Sequence, residues 1–123
     1  MTAPKPHILL VEDHAATGTA VRNYLQTVGY TVHLSSDVRS ARKYAASHDF
    51  DLLLCDIGLP DGTGWDLMRH LRRKGEVVGI AISGFGREAD VERSNAVGFA
   101  RHLVKPLSPD ELTDALDALS TVS

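Results

Sequence analysis

The sequence has one cysteine, Cys55, among 123 residues, so no disulfide can form within the chain and a disulfide-stapled secreted scaffold is excluded. No apolar run approaches the roughly 18 residues needed to span a bilayer, and no signal-like hydrophobic segment opens the chain. Charge of one sign is also scarce. Thirteen basic against sixteen acidic side chains give a net charge of −3, too mild to suggest nucleic acid. The longest basic run, Arg72-Arg73-Lys74, reads as the solvated end of a helix. Aromatic residues make up only 6% of the chain. Repeats and low-complexity tracts are absent. These absences leave a single soluble, cytoplasmic domain, large enough to bury its own core without staples. Residues 1–6 read as a flexible lead-in and residues 7–120 as the domain.

What is there alternates. Short apolar runs at Ile8–Val11, Tyr30–Leu34, Leu52–Cys55, Val77–Ile82 and Phe99–Val104 are separated by segments of helical spacing. Continuous apolar runs of this length suit parallel strands covered on both faces, and Tyr30, Val32 and Leu34 alternate as in a half-buried strand. Helices are expected from Thr17 to a C-cap at Gly29, over Asp37–Ser47 with Asp37 as cap, over Thr63–Lys74, over Arg87–Val97, and from Ser108 onward. Ser108, Pro109 and Glu111 form a capping-box pattern ahead of Leu112, Ala115, Leu116 and Leu119. Trp65 and Met68 are expected in the core, and so is Cys55. Five β-α repeats with short links predict an open, doubly wound parallel sheet.

Ligands in such a sheet gather at the carboxyl ends of the strands. The strands here end on Glu12-Asp13, Asp56, Ser83 and Lys105. Sheet formation requires none of these residues. Carboxylates brought together repel unless a cation neutralises them, and oxygen-only donors indicate a hard ion, with Mg2+ the natural choice beside phosphate. A carboxylate nucleophile, a metal, an ammonium and a hydroxyl donor make a phosphoryl-transfer set.

The segments Val11–His14 (VEDH), Asp56–Leu67 (DIGLPDGTGWDL), Ile82–Gly86 (ISGFG) and Leu103–Pro106 (LVKP) together resemble the signature segments of two-component response regulator receiver domains. They stand in that family's order and at its spacings, over residues 7 to 120. The resemblance implies a flavodoxin-like (βα)5 fold with strand order 2-1-3-4-5. It implies that Asp56 is the phospho-acceptor, taking its phosphoryl group from a phosphohistidine on a histidine kinase or histidine phosphotransfer protein. Glu12, Asp13, Asp56 and the backbone carbonyl of Gly58 would hold Mg2+. Lys105 would pair with the phosphoryl group, Lys105-Pro106 would be a cis peptide, and Ser83 would bond the phosphoryl oxygen and act as a switch. The switch would act on the surface of the fourth helix, fifth strand and fifth helix. Chemistry of this kind is autocatalytic, with no separate substrate turned over. Gly58 and the stretch after the fourth strand are similar to receivers attached to hybrid sensor kinases, where Gly58 and Phe85 would tune the phosphoryl lifetime. A monomer or weak homodimer is expected, with no nucleic-acid or membrane partner.

One position departs from the family. His102 stands where an aromatic switch residue is usual, and it reads either as a polar variant of that switch or as an ordinary surface histidine. The other histidines lack zinc spacing. Gly84-Phe85-Gly86-Arg87-Glu88-Ala89 nominally fits a dinucleotide fingerprint, but it follows the fourth strand and no acidic residue follows at the required distance. Two further readings stand beside the receiver: a phosphorylation-independent docking domain of the same fold, and a small phosphohydrolase. The hydrolase would need a general base for water, and none is evident beside Asp56.

Overall fold

The computed structural model describes residues 5–84 and 86–120. Five parallel strands form one sheet: β1 (His7–Val11), β2 (Thr31–Ser35), β3 (Leu52–Asp56), β4 (Val78–Ser83) and β5 (Arg101–Val104). Their spatial order is 2-1-3-4-5. The helices are α1 (Ala15–Thr27), α2 (Val38–Ser47), α3 (Gly64–Arg72), α4 (Glu88–Val97) and α5 (Pro109–Ser120).

Side-chain alternation along the strands divides the core in two. Leu9, Val11, Leu53, Cys55 and Ala81 face α2 and α3, whereas Ile8, Leu10, Leu52, Leu54, Ile80 and Ile82 face the layer of α1 and α5. Central β3 is buried at every position, which is why its sequence reads as an unbroken apolar run. Edge strand β2 is less covered, with Thr31 exposed and His33 and Leu34 only half-buried. Trp65, Met68 and Cys55 lie in the core as expected.

Local signals set the helix ends. Asp37 accepts the Ser40 N–H at 2.7 Å, Thr63 accepts that of Asp66 at 3.1 Å, and Ser108 accepts that of Glu111 at 3.1 Å. Each occupies an otherwise orphaned amide of a first helical turn. Gly29, at φ 109°, closes α1 in the left-handed region that favours glycine.

Several element boundaries shift by one or two residues from expectation, and one element is new. The fifth strand begins at Arg101, not Phe99; Phe99 instead packs its ring into the core from the α4–β5 link. Helix α3 stops at Arg72, two residues early. A small antiparallel hairpin pairs Gly58–Leu59 with Gly62–Thr63, an element no apolar periodicity announced.

Candidate functional site

Strand register builds the site. Val11 is paired with Cys55, so the next residues on each strand, Glu12 and Asp56, stand side by side. Both continue the parity of the residues facing α1 and α5, so both carboxylates project on the same face at the carboxyl rim. They are 5% exposed each. Lys105, just beyond β5, reaches across to both, its Nζ 3.0 Å from Glu12 Oε1 and 3.0 Å from Asp56 Oδ2. Exposed Asp13 completes an acidic group in which Glu12, Asp13 and Asp56 each place one oxygen within 4.8 Å of the others.

The electrostatics follow from this crowding. Burial pushes the Asp56 carboxyl up, the neighbouring Glu12 carboxylate pushes it further, and Lys105 offsets only part of this, leaving it at about 7. For Glu12, burial acts upward too, but its bonds with Asp56 and Lys105 hold it below the usual carboxylate value. The two carboxyls therefore titrate as a pair, and their crowding favours one shared proton near neutrality. Lys105 loses solvation, yet the two carboxylates raise its affinity for its proton above the ordinary lysine value.

The chain around Asp56 is held tightly. Ile57 N–H donates to Ile82 O at 2.9 Å, and Gly64 N–H donates to Ile57 O at 2.8 Å, bringing the hairpin back under the end of β3. A Cβ at Gly64 would collide with the Asp56 carbonyl oxygen and press on Cys55 Sγ, so this crossing requires glycine. At Gly58, by contrast, an added Cβ would meet nothing within 4 Å. A cleft of about 370 Å³ lies over Asp56, with Asp13, Gly58, Ser83 and Lys105 among its walls. Lys105-Pro106 is a cis peptide.

Asp13, Asp56, Gly58, Ser83 and Lys105 thus line one cleft, and Glu12 joins them through its contact with Lys105 and its place in the acidic group. Phe85 lies outside the described residues. His102 is half-buried with both ring nitrogens engaged by serines, so a plain surface histidine does not describe it. Sequence reasoning missed Ser94, the fully buried serine of α4 that bonds both His102 and Trp65. It also missed Asp61, whose carboxylate accepts the Val38 and Arg39 amides at 2.8 and 2.9 Å and ties the hairpin to the start of α2. A fully buried serine leaves no periodicity to detect. The Asp61-Gly62 pair carried a turn signal that could have been read.

Residues 8–117 match the family described as the response regulator receiver domain, and the chain belongs to that family. Among named relatives, it is 32% identical over 108 residues to the aerobic respiration control protein ArcA of Escherichia coli, which covers 88% of this chain and 45% of ArcA. It is 34% identical over 114 residues to the response regulator protein PmrA of Pseudomonas aeruginosa, covering 92% of this chain and 52% of PmrA. The chain therefore spans about half the length of these relatives. In structure it resembles the non-phosphorylated HemR receiver domain of Leptospira biflexa, with a TM-score of 0.90, 27% identity and 97% of each chain covered. It likewise resembles the chemotaxis response regulator CheY4 of Vibrio cholerae, with a TM-score of 0.89, 26% identity, and 95% of this chain and 99% of CheY4 covered. The acidic cluster at Glu12, Asp13 and Asp56 is of the kind that serves a phospho-acceptor site.

Proposed function

We propose that Asp56 accepts a phosphoryl group from a phosphohistidine on a partner histidine kinase or histidine phosphotransfer protein. The observation that carries this reading is the buried pair Glu12 and Asp56, bridged by one ammonium and opened to solvent beside Asp13. Once the proton shared by Glu12 and Asp56 is displaced, three carboxylates against one ammonium carry two negative charges, the deficit a divalent cation would cancel. Oxygen-only donors fit Mg2+ held by Glu12, Asp13, Asp56 and the Gly58 carbonyl. When bound, the ion supplies neutralisation of the phosphoryl oxygens.

The residues divide the remaining work. An Asp56 carboxylate oxygen attacks phosphorus, the P–N bond to the donor imidazole breaks, and the electron pair leaves with the ring. Lys105, one-third exposed and able to turn outward, pairs with the phosphoryl oxygens, and Ser83 donates a hydrogen bond to one of them. The exchange is set in the cytoplasm and is autocatalytic. An apolar groove of about 500 Å³ leads from Asp56 between α1 and the Lys105–Leu107 segment, giving the donor protein a surface to dock on. Open space at Gly58, together with Phe85, would set how quickly water reaches the acyl phosphate. Phosphorylation would bias the surface of α4, β5 and α5 between two states, with Ser83 and His102 as the switch.

Intact-mass measurement after incubation with acetyl phosphate tests the reading. A magnesium-dependent gain of one phosphoryl group, absent in Asp56→Asn, is the expected result. No gain in the wild type would overturn it and favour a docking domain of the same fold.

A further inference from the structure

His102 is paired in register with Ala81, so its side chain lies on the face that carries Ala81 and Ser83. Its Nε2 is 2.7 Å from Ser83 Oγ and its Nδ1 is 2.8 Å from Ser94 Oγ. The Trp65 indole N–H donates to that same Ser94 hydroxyl at 2.9 Å, and the Arg93 guanidinium covers the Trp65 ring 4.2 Å from its centre.

The protons in this chain can be assigned. An indole nitrogen only donates, so Trp65 occupies a lone pair of Ser94. Ser94 has one hydroxyl proton and is 0% exposed, and His102 Nδ1 is the acceptor its hydroxyl meets. Directed elsewhere, that proton would be a buried donor without a partner, which folded proteins avoid. Nδ1 is therefore the unprotonated nitrogen of the neutral ring. The ring hydrogen then sits on Nε2 and donates to Ser83 Oγ, so Ser83 does not spend its own proton on His102.

We propose that His102 is a positioning residue for Ser83, held in the Nε2–H tautomer by Trp65 and Ser94, so that the Ser83 hydroxyl proton is directed to a phosphoryl oxygen on Asp56. The last step rests on the reading of Asp56 as acceptor; the tautomer does not. In the opposite tautomer Nε2 would take the Ser83 proton, and Ser83 would face the phosphoryl group with lone pairs.

Nitrogen-15 NMR of the imidazole rings, with His102 assigned by its loss in His102→Gln, reads the tautomer directly. The wild type at about pH 8, where free imidazole is neutral, should show a protonated Nε2 and a bare Nδ1. Ser94→Ala should show a mixture of tautomers and take up phosphoryl from acetyl phosphate several-fold more slowly. Trp65→Phe, which keeps an aromatic ring but removes the N–H donor that turns the Ser94 hydroxyl towards Nδ1, should move both readouts the same way and covers the case in which Ser94→Ala fails to fold. A wild-type ring protonated on Nδ1, or variants that keep both tautomer and rate, would overturn the proposal. If the wild type takes no phosphoryl group at all, the acceptor reading of Asp56 falls with the last step, and the ring spectra still decide the tautomer.

Discussion

The two ends of the sheet are built on opposite terms. At the carboxyl end, Glu12 and Asp56 are buried against each other with one ammonium between them. At the amino end, Tyr44 lies stacked between His33 and His48 at centroid distances of 3.7 and 4.3 Å, its hydroxyl 3.0 Å from His7 Nε2. Asp51 accepts the His7 amide at 2.8 Å and fastens the start of β1. One end holds charge that the fold would sooner shed; the other holds rings and hydrogen bonds that satisfy one another. Stability is drawn from the second and given up at the first, where the proposed chemistry would need a poised carboxylate.

Their pH dependences have opposite signs. Asp56 is raised in the folded protein, so its contribution is fully present below the ordinary aspartate value of 3.8 and is lost as pH climbs through about 7. His33 is lowered below 6.5 by burial, then by the charges of His48 and His7. Its contribution is present above the ordinary histidine value and is lost as pH falls through the folded one.

The largest effect should come from Lys105→Ala, which leaves the carboxyl pair without its counter-charge. Denaturant melts at about pH 8 should show a loss of about 2 kcal/mol, reduced from the full buried-pair cost because Lys105 is partly exposed. Phosphorylation by acetyl phosphate should fall about 10²-fold; a variant that kept its rate would remove Lys105 from the chemistry. At the other end Tyr44→Ala should cost about 1–2 kcal/mol while leaving that rate unchanged. A slowed rate would mean that the two ends are coupled.

Asp56→Asn should be more stable than wild type by at least about 1 kcal/mol at pH 8 without metal, with the gap closing towards pH 4. Adding Mg2+ should narrow the gap at pH 8, since only the wild type keeps the full ligand set. A gap independent of pH would show that Asp56 is ionised in the fold at no cost. Wild-type Mg2+ binding near pH 7 should also release protons, seen by calorimetry in buffers of different ionisation enthalpy. Smallest is His33→Gln, which should flatten the rise of stability with pH around 6 by a few tenths of a kcal/mol.

Strand ends were the most legible part of the sequence. The runs Ile8–Val11 and Leu52–Cys55 are buried on both faces, so their composition alone marked them, and the polar residue that ends each is a site residue. Caps with a side chain of their own, at Asp37, Thr63 and Ser108, were legible for the same local reason. What composition could not show was polar pairing across long separations. Ser94 and His102 are partners only because β5 lies beside β4 under α4, and nothing near either residue predicts it. Helix α4 is the clearest case. Its apolar face reads as thin, and its one buried residue is Ser94, held by Trp65 and His102. Phe99 misled in the other direction, since an aromatic beside a strand reads as strand whether it pairs or packs.

The contact beneath Asp56 has a bearing on protein engineering. Because Gly64 lies against the carbonyl of Asp56, nine consecutive residues from Asp56 to the start of α3 form one interlocking piece. Chimeras between receivers should tolerate crossovers before Asp56 or after Gly64 and resist those between them. A library that randomises the hairpin should recover diversity at position 58 and almost none at position 64.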